Sequence, residues 1–529
     1  MAKKLIALVL CLVMVGAFAL GCAPKTDDKK TDGTTAGDTT NTGAVDENGI
    51  PAHKETLVIG SAVDINNLNL QQQQDQINNI VLKLTHETLV FFTNEATFVP
   101  MLATSWENTD DTHIQFKLAE GVTFSDGTVM TADDVKFTLD MALESPNSGN
   151  LAGMVACNVI DANTIEIETE SYNNEFVASL ASVPFGIQSK AAWDAYNAGT
   201  TTDEPWYIGT GPYIFDEWVE GQYCRLKKNA NYWGTEPGIS DYVEFRPILE
   251  DSSRVIALQN GEIDVCINPP INELDILESD PNVTVFERAG SRLFYFAFNV
   301  TKAPWDNQKL RQAVACAINR DDVLEVAVYG KGTPQKTILN RGLWGFYDDM
   351  EGYNYDLDRA KALMAEAGYA DGGIETTLLI ANSSPYKEIA QVIQGNLKEI
   401  GITVKIDTVE DATLKSMCKE GEQALYLWRW NEDSKVDFVY RDLFYTGSSS
   451  NYHHYSNARA DELTDLVATE KDQDKRYEYG VELQELIVDD CPQVPLYIAN
   501  LVIAYNNNLK GEYLFGGGNH DWRHAYIAE

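Results

Sequence analysis

Basic side chains are what this sequence has least of for its size: 40 Lys and Arg stand against 80 Asp and Glu, a formal net charge of −40. Such acidity repels nucleic-acid phosphates, so DNA and RNA are excluded as natural partners. The motifs of catalysis are missing too. There is no G-x-S-x-G nucleophile elbow and no H-E-x-x-H zinc pair. Carboxylates are so numerous that a pair facing across a cleft is expected by chance, and their abundance does not point to a glycosidase. Gly330 to Thr337 (GKGTPQKT) superficially resembles a phosphate loop, but Gln335 stands where its second glycine is required, and Pro334 removes a backbone N–H. The expectation is a binding protein, not an enzyme, with no cofactor. Paired cysteine motifs are also absent: Cys157, Cys224, Cys266, Cys316, Cys418 and Cys491 each stand singly in an apolar context. An oxidising exterior permits disulfides and the contexts suit buried thiols, so the pairing stays open.

Long apolar runs are missing with one exception. Lys3 and Lys4 precede a run from Leu5 to Leu20 that ends in Gly21 and Cys22. The run is short for a bilayer-spanning helix, which takes ~20 apolar residues, and its flank is polar, so residues 1–21 read as a cleaved signal peptide. Gly21-Cys22 resembles the lipobox of bacterial lipoproteins, with Ala19 where that motif usually has leucine. The resemblance implies that Cys22 is acylated and becomes the new N-terminus. Acyl chains would then hold the protein on the extracytoplasmic face of the cell membrane, at ~0.8 kcal/mol per buried methylene. Residues 22–52, rich in Thr, Asp, Gly and Lys, have almost nothing apolar to bury and read as a flexible tether.

The whole chain, 529 residues with 44% hydrophobic content, suffices for more than one domain. Residues 114–118 and 164–169 alternate like strands. Residues 131–143 fit a helix opened by Thr131-x-x-Asp134, with Val135, Leu139 and Ala142 on one face. Gly209-Thr210-Gly211-Pro212 marks a tight turn into a hairpin from Tyr213 to Lys228, closed by Asn229, Asn231, Tyr232, Trp233 and Gly234 as an aromatic plug. Further on, the patterns predict strands over 283–287 and 293–299, and helices over 307–318 and 322–329. The second of these helices is opened by Asp322-x-x-Glu325, and a third helix is capped by Asp356. Strand 376–380, helix 386–400 and strand 402–406 make a β-α-β unit, hence a parallel pair with a right-handed crossover. Sheets of that kind place ligands at their strand ends.

Five stretches in order resemble the solute-binding proteins of oligopeptide, dipeptide and nickel ABC importers, family 5. They are Leu102 to Glu107 running on through Phe124-Ser125-Asp126-Gly127 to Val135; GTGPY with N-x-x-Y-W-G at 209–234; Ala257 to Val265, similar to L-x-x-G-E-I-D; Phe298-Asn299 with Leu310 to Arg320; and Tyr355 to Tyr369. The resemblance implies an α/β, two-lobed, type II periplasmic-binding-protein-like fold with an additional inserted domain. Domain I would comprise 53–86, 190–290 and 498–529, domain II 87–189 and domain III 291–497. It also implies a monomer that captures peptides between two lobes and hands them to an ABC transporter permease. The same role for a nickel chelate, haem or an oligosaccharide, or service as an extracellular ligand sensor, stays open.

The expected ligand wall is Trp428, Arg429, Trp430, Asn431, Glu432 and Asp433, where two indoles flank a guanidinium ahead of polar residues. In peptide-binding relatives an aspartate in a W-x-x-D pattern pairs with the peptide's α-amino group; here Asn431 holds the aligned place. His453 and His454 are adjacent, but successive strand residues point opposite ways, so they are weak metal ligands and no metal is assigned.

Overall fold

Thr56–Ser61 (TLVIGS) is buried from Leu57 onward, as a strand flanked on both sides must be. It pairs in parallel with Tyr242–Pro247 and with Val265–Ile267, and these strands sit within a sheet of 11. We describe this from a computed structural model covering residues 52–529 except 73–74, 94–96, 342, 432–434, 437 and 512–519. The expected signal peptide, Cys22 and nearly all of the tether lie outside the described residues. No helix among the described residues is long and apolar enough to cross a membrane.

The sheet order, from one edge, is Ile402–Val409, Ile374–Ala381, Leu425–Asn431, Val283–Phe298, Gln493–Asn506, Val265–Ile267, Thr56–Ser61, Tyr242–Pro247, Tyr223–Lys228 and Tyr213–Val219, with Gly332–Pro334 added on Gln493–Asn506. The two central strands, of 16 and 14 residues, run antiparallel from one lobe into the other. On one side they join the strands around Thr56–Ser61; on the other they carry the parallel pair Ile374–Ala381 and Ile402–Val409. The expectation of two strands over 283–287 and 293–299 is corrected here. The chain stays extended throughout, and the register shifts between Ala289 and Arg292, where Gly290 and Ser291 bulge. A Cβ on Gly290 would overlap the Ala499 carbonyl oxygen, so glycine marks close approach of two backbones, not the end of a strand.

Each region has its own core. Leu57, Ile59, Val243 and Phe245 share one with Trp522 and Ile527. A second, wholly between residues 89 and 187, underlies a sheet ordered Ala103–Asn108, His113–Leu118, Thr164–Thr169 and Met154–Asp161, with the helix Ala132–Leu143 packed near it. The Asp134 carboxylate accepts the Thr131 N–H at 2.8 Å, completing the expected capping box. The largest core lies beneath the parallel strands and the helix Tyr386–Lys398 between them. Helix Arg320–Val328 begins earlier than the expected start at Asp322. Its cap is Asn319, whose Oδ1 accepts the Asp321 N–H at 3.1 Å, because a short Asn side chain reaches the free amides of the first turn. All six described cysteines are buried free thiols.

The hairpin at 213–228 closes onto a buried acid. Tyr232 Oη donates to Glu87 Oε1 at 2.6 Å, Trp233 Nε1 donates to Oε2 at 2.8 Å, and Arg523 lies 3.9 Å away. Asn229 Nδ2 donates to the Gly211 carbonyl, and a Cβ on Gly211 would come within 2.6 Å of the Thr85 carbonyl carbon.

Candidate functional site

Strand Leu425–Asn431 explains its own position. Leu425, Tyr426 and Leu427 are buried, Trp428, Arg429 and Trp430 are half-buried, and Asn431 is exposed, so the strand leaves its core at its C-terminal end. It is parallel to Ile374–Ala381 and antiparallel to the long strand, with Arg292 opposite Asn431 and Phe294 opposite Arg429. Around this end lies a cavity of ≈ 350 Å³, lined by Lys415, Trp428, Arg429, Trp430, Asn431, Ser450 and Tyr452. That volume admits a small ligand.

Four of the six expected ligand residues therefore meet at one hollow. Trp428 packs edge-on to Tyr452, ring centres 6.0 Å apart at 81°. Arg429 donates to Tyr386 Oη at 2.6 Å and to Asp411 Oδ2 at 3.1 Å, and its guanidinium lies 5.8 Å over the Trp428 ring. Burial works against that charge, but the Tyr386 and Asp411 oxygens outweigh it and hold the Arg429 pKa above its usual value. The Trp430 indole N–H is buried without an acceptor among the described residues. Asn431 Oδ1 accepts from Arg292 Nε at 2.9 Å. Glu432 and Asp433 lie outside the described residues. Sequence reasoning missed Lys415, Ser450, Tyr452, Arg292, Tyr386 and Asp411, which come from separate parts of the chain. Only Tyr386 carried a signal, as the first residue of a crossover helix after a parallel strand.

His453 and His454 face different partners. His453 is fully buried, with Nε2 2.9 Å from Gln493 Oε1 and Nδ1 3.2 Å from the Leu443 carbonyl, and it stacks on Phe444. His454, in the left-handed region at φ 51°, points Nε2 at the Cys418 carbonyl, 3.1 Å away. Among the described residues no group of three or more His, Cys, Asp and Glu is placed to hold a metal ion. Burial pulls the pKa of His453 down to about 4, and does the same to His86. Above the unfolded value of 6.5 neither state is protonated and nothing is lost. As pH falls from 6.5 to about 4, the unfolded chain takes protons that the folded one refuses, removing up to about 3 kcal/mol of stability per histidine. His453→Gln is expected to flatten the fall of melting temperature across that window. An unchanged slope would show that other groups set it.

The insertion touches the second lobe directly. Asn174 N–H donates to the Ala468 carbonyl and its Nδ2 to the Glu470 carbonyl at 2.7 Å. Arg476 pairs with Glu175 at 2.8 Å, both nearly buried, while its guanidinium lies 3.7 Å over Trp344. Lys435 Nζ donates to Ser179 Oγ at 3.0 Å.

Two lobes joined by a pair of long strands, with an aromatic and cationic hollow at the end of a strand in the mixed sheet, define a type II periplasmic-binding-protein fold with an inserted domain. Residues 97–452 match the model of the bacterial extracellular solute-binding proteins, family 5 (middle). The chain belongs to that family, and it is a solute-binding protein, not an enzyme. It is 28% identical over 479 residues to the glutathione-binding protein GsiB of Escherichia coli O1:K1, spanning 87% of this chain and 92% of that one. Among solved structures, the ABC transporter-associated periplasmic binding protein DppA from Helicobacter pylori, in complex with the peptide STSA, superposes with a TM-score of 0.77 at 26% identity, covering 90% of this chain and 98% of that one. The ABC transporter substrate-binding protein CtaP from Listeria monocytogenes superposes with a TM-score of 0.81 at 25% identity, covering 90% and 100%.

Proposed function

We propose that the chain is a membrane-anchored extracytoplasmic lipoprotein that captures short peptides between its lobes and delivers them to an ABC transporter permease. The observation that carries this is the hollow at the end of Leu425–Asn431, where two indoles and a fixed guanidinium can grip an extended chain without reading its sequence. DppA is solved with a peptide, and glutathione, named for GsiB, is itself a short peptide. Trp428, Arg429, Trp430 and Asn431, with Glu432 and Asp433 beyond them, form the ligand wall in this reading. The domain division at 86, 189, 290 and 497 accords with separate cores and with the bulge at Gly290. Ligand that touches both lobes favours the closed arrangement, since only differential contact shifts such an equilibrium. The chain acts as a monomer.

Mass spectrometry of small molecules released on denaturing the purified protein tests the reading. A ladder of short peptides is expected; a metal chelate, haem or a sugar would overturn it. The anchor has its own test. Cys22→Ala is expected to release the protein from the membrane fraction, and full retention would remove the lipid from the account.

A further inference from the structure

The inserted domain is held to the two lobes in different ways. Toward the first lobe, the one built around Thr56–Ser61, the attachment is partly apolar. Val183 packs on that lobe's core, Ile208 and Trp233 pack on the insertion's own core, and the Ser125 N–H donates to the Gly209 carbonyl at 2.8 Å. Toward the second lobe it is made by hydrogen bonds and ion pairs. Segment 172–179 meets the turn between helices Ala458–Thr469 and Gln473–Asp490 through the Asn174 bonds and the Arg476–Glu175 pair, with Lys435 donating to Ser179 beside them. Lys471 and Asp111 add an exposed pair. Among the described residues no apolar core is shared between the insertion and the second lobe. Polar bonds can be exchanged for water as two surfaces part, whereas apolar contacts cannot, so the seam with the second lobe is the weaker of the two.

The second-lobe half of that seam also shares a core with the ligand hollow. Trp430 packs against the core that holds Leu343 and Val467, and Arg476, stacked on Trp344, donates from Nε to the Val467 carbonyl at 2.9 Å. Lys435 follows Asn431 by four residues. A ligand that seats Trp430 therefore bears on the residues that grip the insertion. We propose that the inserted domain is a latch: it moves with the first lobe, clasps the second through Asn174, Glu175 and Ser179, and sets how long a captured peptide stays. The retention half of this rests on the reading of the hollow as the peptide site; the clasp itself does not. Because the clasp forms only when the lobes are together, it stabilises the closed arrangement alone, and it acts on release more than on entry.

Small-angle scattering and release kinetics test the latch on the purified protein, cleared of retained ligand by unfolding and refolding, and on three variants. Asn174→Ala combined with Glu175→Gln weakens the clasp from the insertion, and Arg476→Gln weakens it from the second lobe. Arg459→Gln removes an exposed ion pair with Glu482 inside the second lobe and serves as the control. Scattering is recorded without ligand. Each protein is then loaded with an isotopically labelled, equimolar pool of tripeptides and tetrapeptides and chased with the unlabelled pool, and the retained label is counted by mass spectrometry. Both clasp variants are expected to show a larger radius of gyration than the parent and to release the pool about tenfold faster, while Arg459→Gln matches the parent in both. Agreement between variants on opposite sides of the seam marks opening, since loosening within one lobe would appear in one variant alone. Parent dimensions and parent release in both variants overturn the latch and leave peptide capture standing. A larger radius with parent release overturns its control of retention. If the parent retains none of the pool, the peptide reading fails, and the scattering still decides the clasp.

Discussion

Glu87→Ala is expected to lower the unfolding free energy by about 3–5 kcal/mol, the scale for removing one partner from a buried charged cluster. The side chain is 2% exposed, and three groups depend on it: the Tyr232 hydroxyl, the Trp233 indole N–H and, at longer range, the Arg523 guanidinium. Truncation would leave two half-buried donors unpaired, each worth up to ~1–3 kcal/mol. Asp521, 2.9 Å from Arg523, keeps the guanidinium from being stranded and bounds the loss. Glu87→Gln should cost about half as much: its amide oxygen can accept from Tyr232, but its amide nitrogen then meets the Trp233 donor. Thermal melting of the three proteins gives the order. If Glu87→Ala melts with the parent, Tyr232 and Trp233 find water in the folded state and the cluster is not what seats the hairpin.

Trp428→Ala and Trp430→Ala should each weaken capture of the peptide pool at least tenfold, while lowering melting temperature without ligand only modestly. Both indoles are half-buried and only flank the main core, so their truncation stays below the ~3–5 kcal/mol of a fully buried Trp. Trp428 loses its edge contact with Tyr452 and the ring beneath Arg429. Trp430 loses its buried donor and its packing against two cores. Binding measured beside melting decides the matter: equal losses in both would make these residues core, and the cavity an accident of packing.

What could be read from residues alone was local. The Thr131 and Asp134 box, the Asp356 cap, the hairpin after Gly211 and the parallel pair around helix Tyr386–Lys398 each follow from spacing over a few residues, and each is present. The continuous strand Val283–Phe298 was not legible, because a glycine in an extended segment can end a strand or bulge it, and the choice lies in the Ala499 backbone opposite. Asn319 loses out on sequence to a more familiar capping pattern three residues later, Asp322-x-x-Glu325. At the site, the Trp428 to Asn431 stretch stood out by composition, whereas Tyr386 and Asp411 on Arg429, and Arg292 on Asn431, depend on sheet order that no single segment encodes. The aromatic plug was visible; that it clamps a buried acid more than a hundred residues away was not.

The first core also sets an order of assembly. Leu57 and Ile59 are packed by Ile503, Trp522 and Ile527, and the Lys54 N–H donates to the Ile527 carbonyl. The insertion and the second lobe draw their cores from unbroken stretches of chain and can collapse as soon as those stretches emerge. Residues 57–59 cannot. During synthesis they lack a strand partner until residues 242–247 follow, and their core is closed only when residues 522–527 arrive, so a chaperone that shields the segment would govern yield more than any change in final stability.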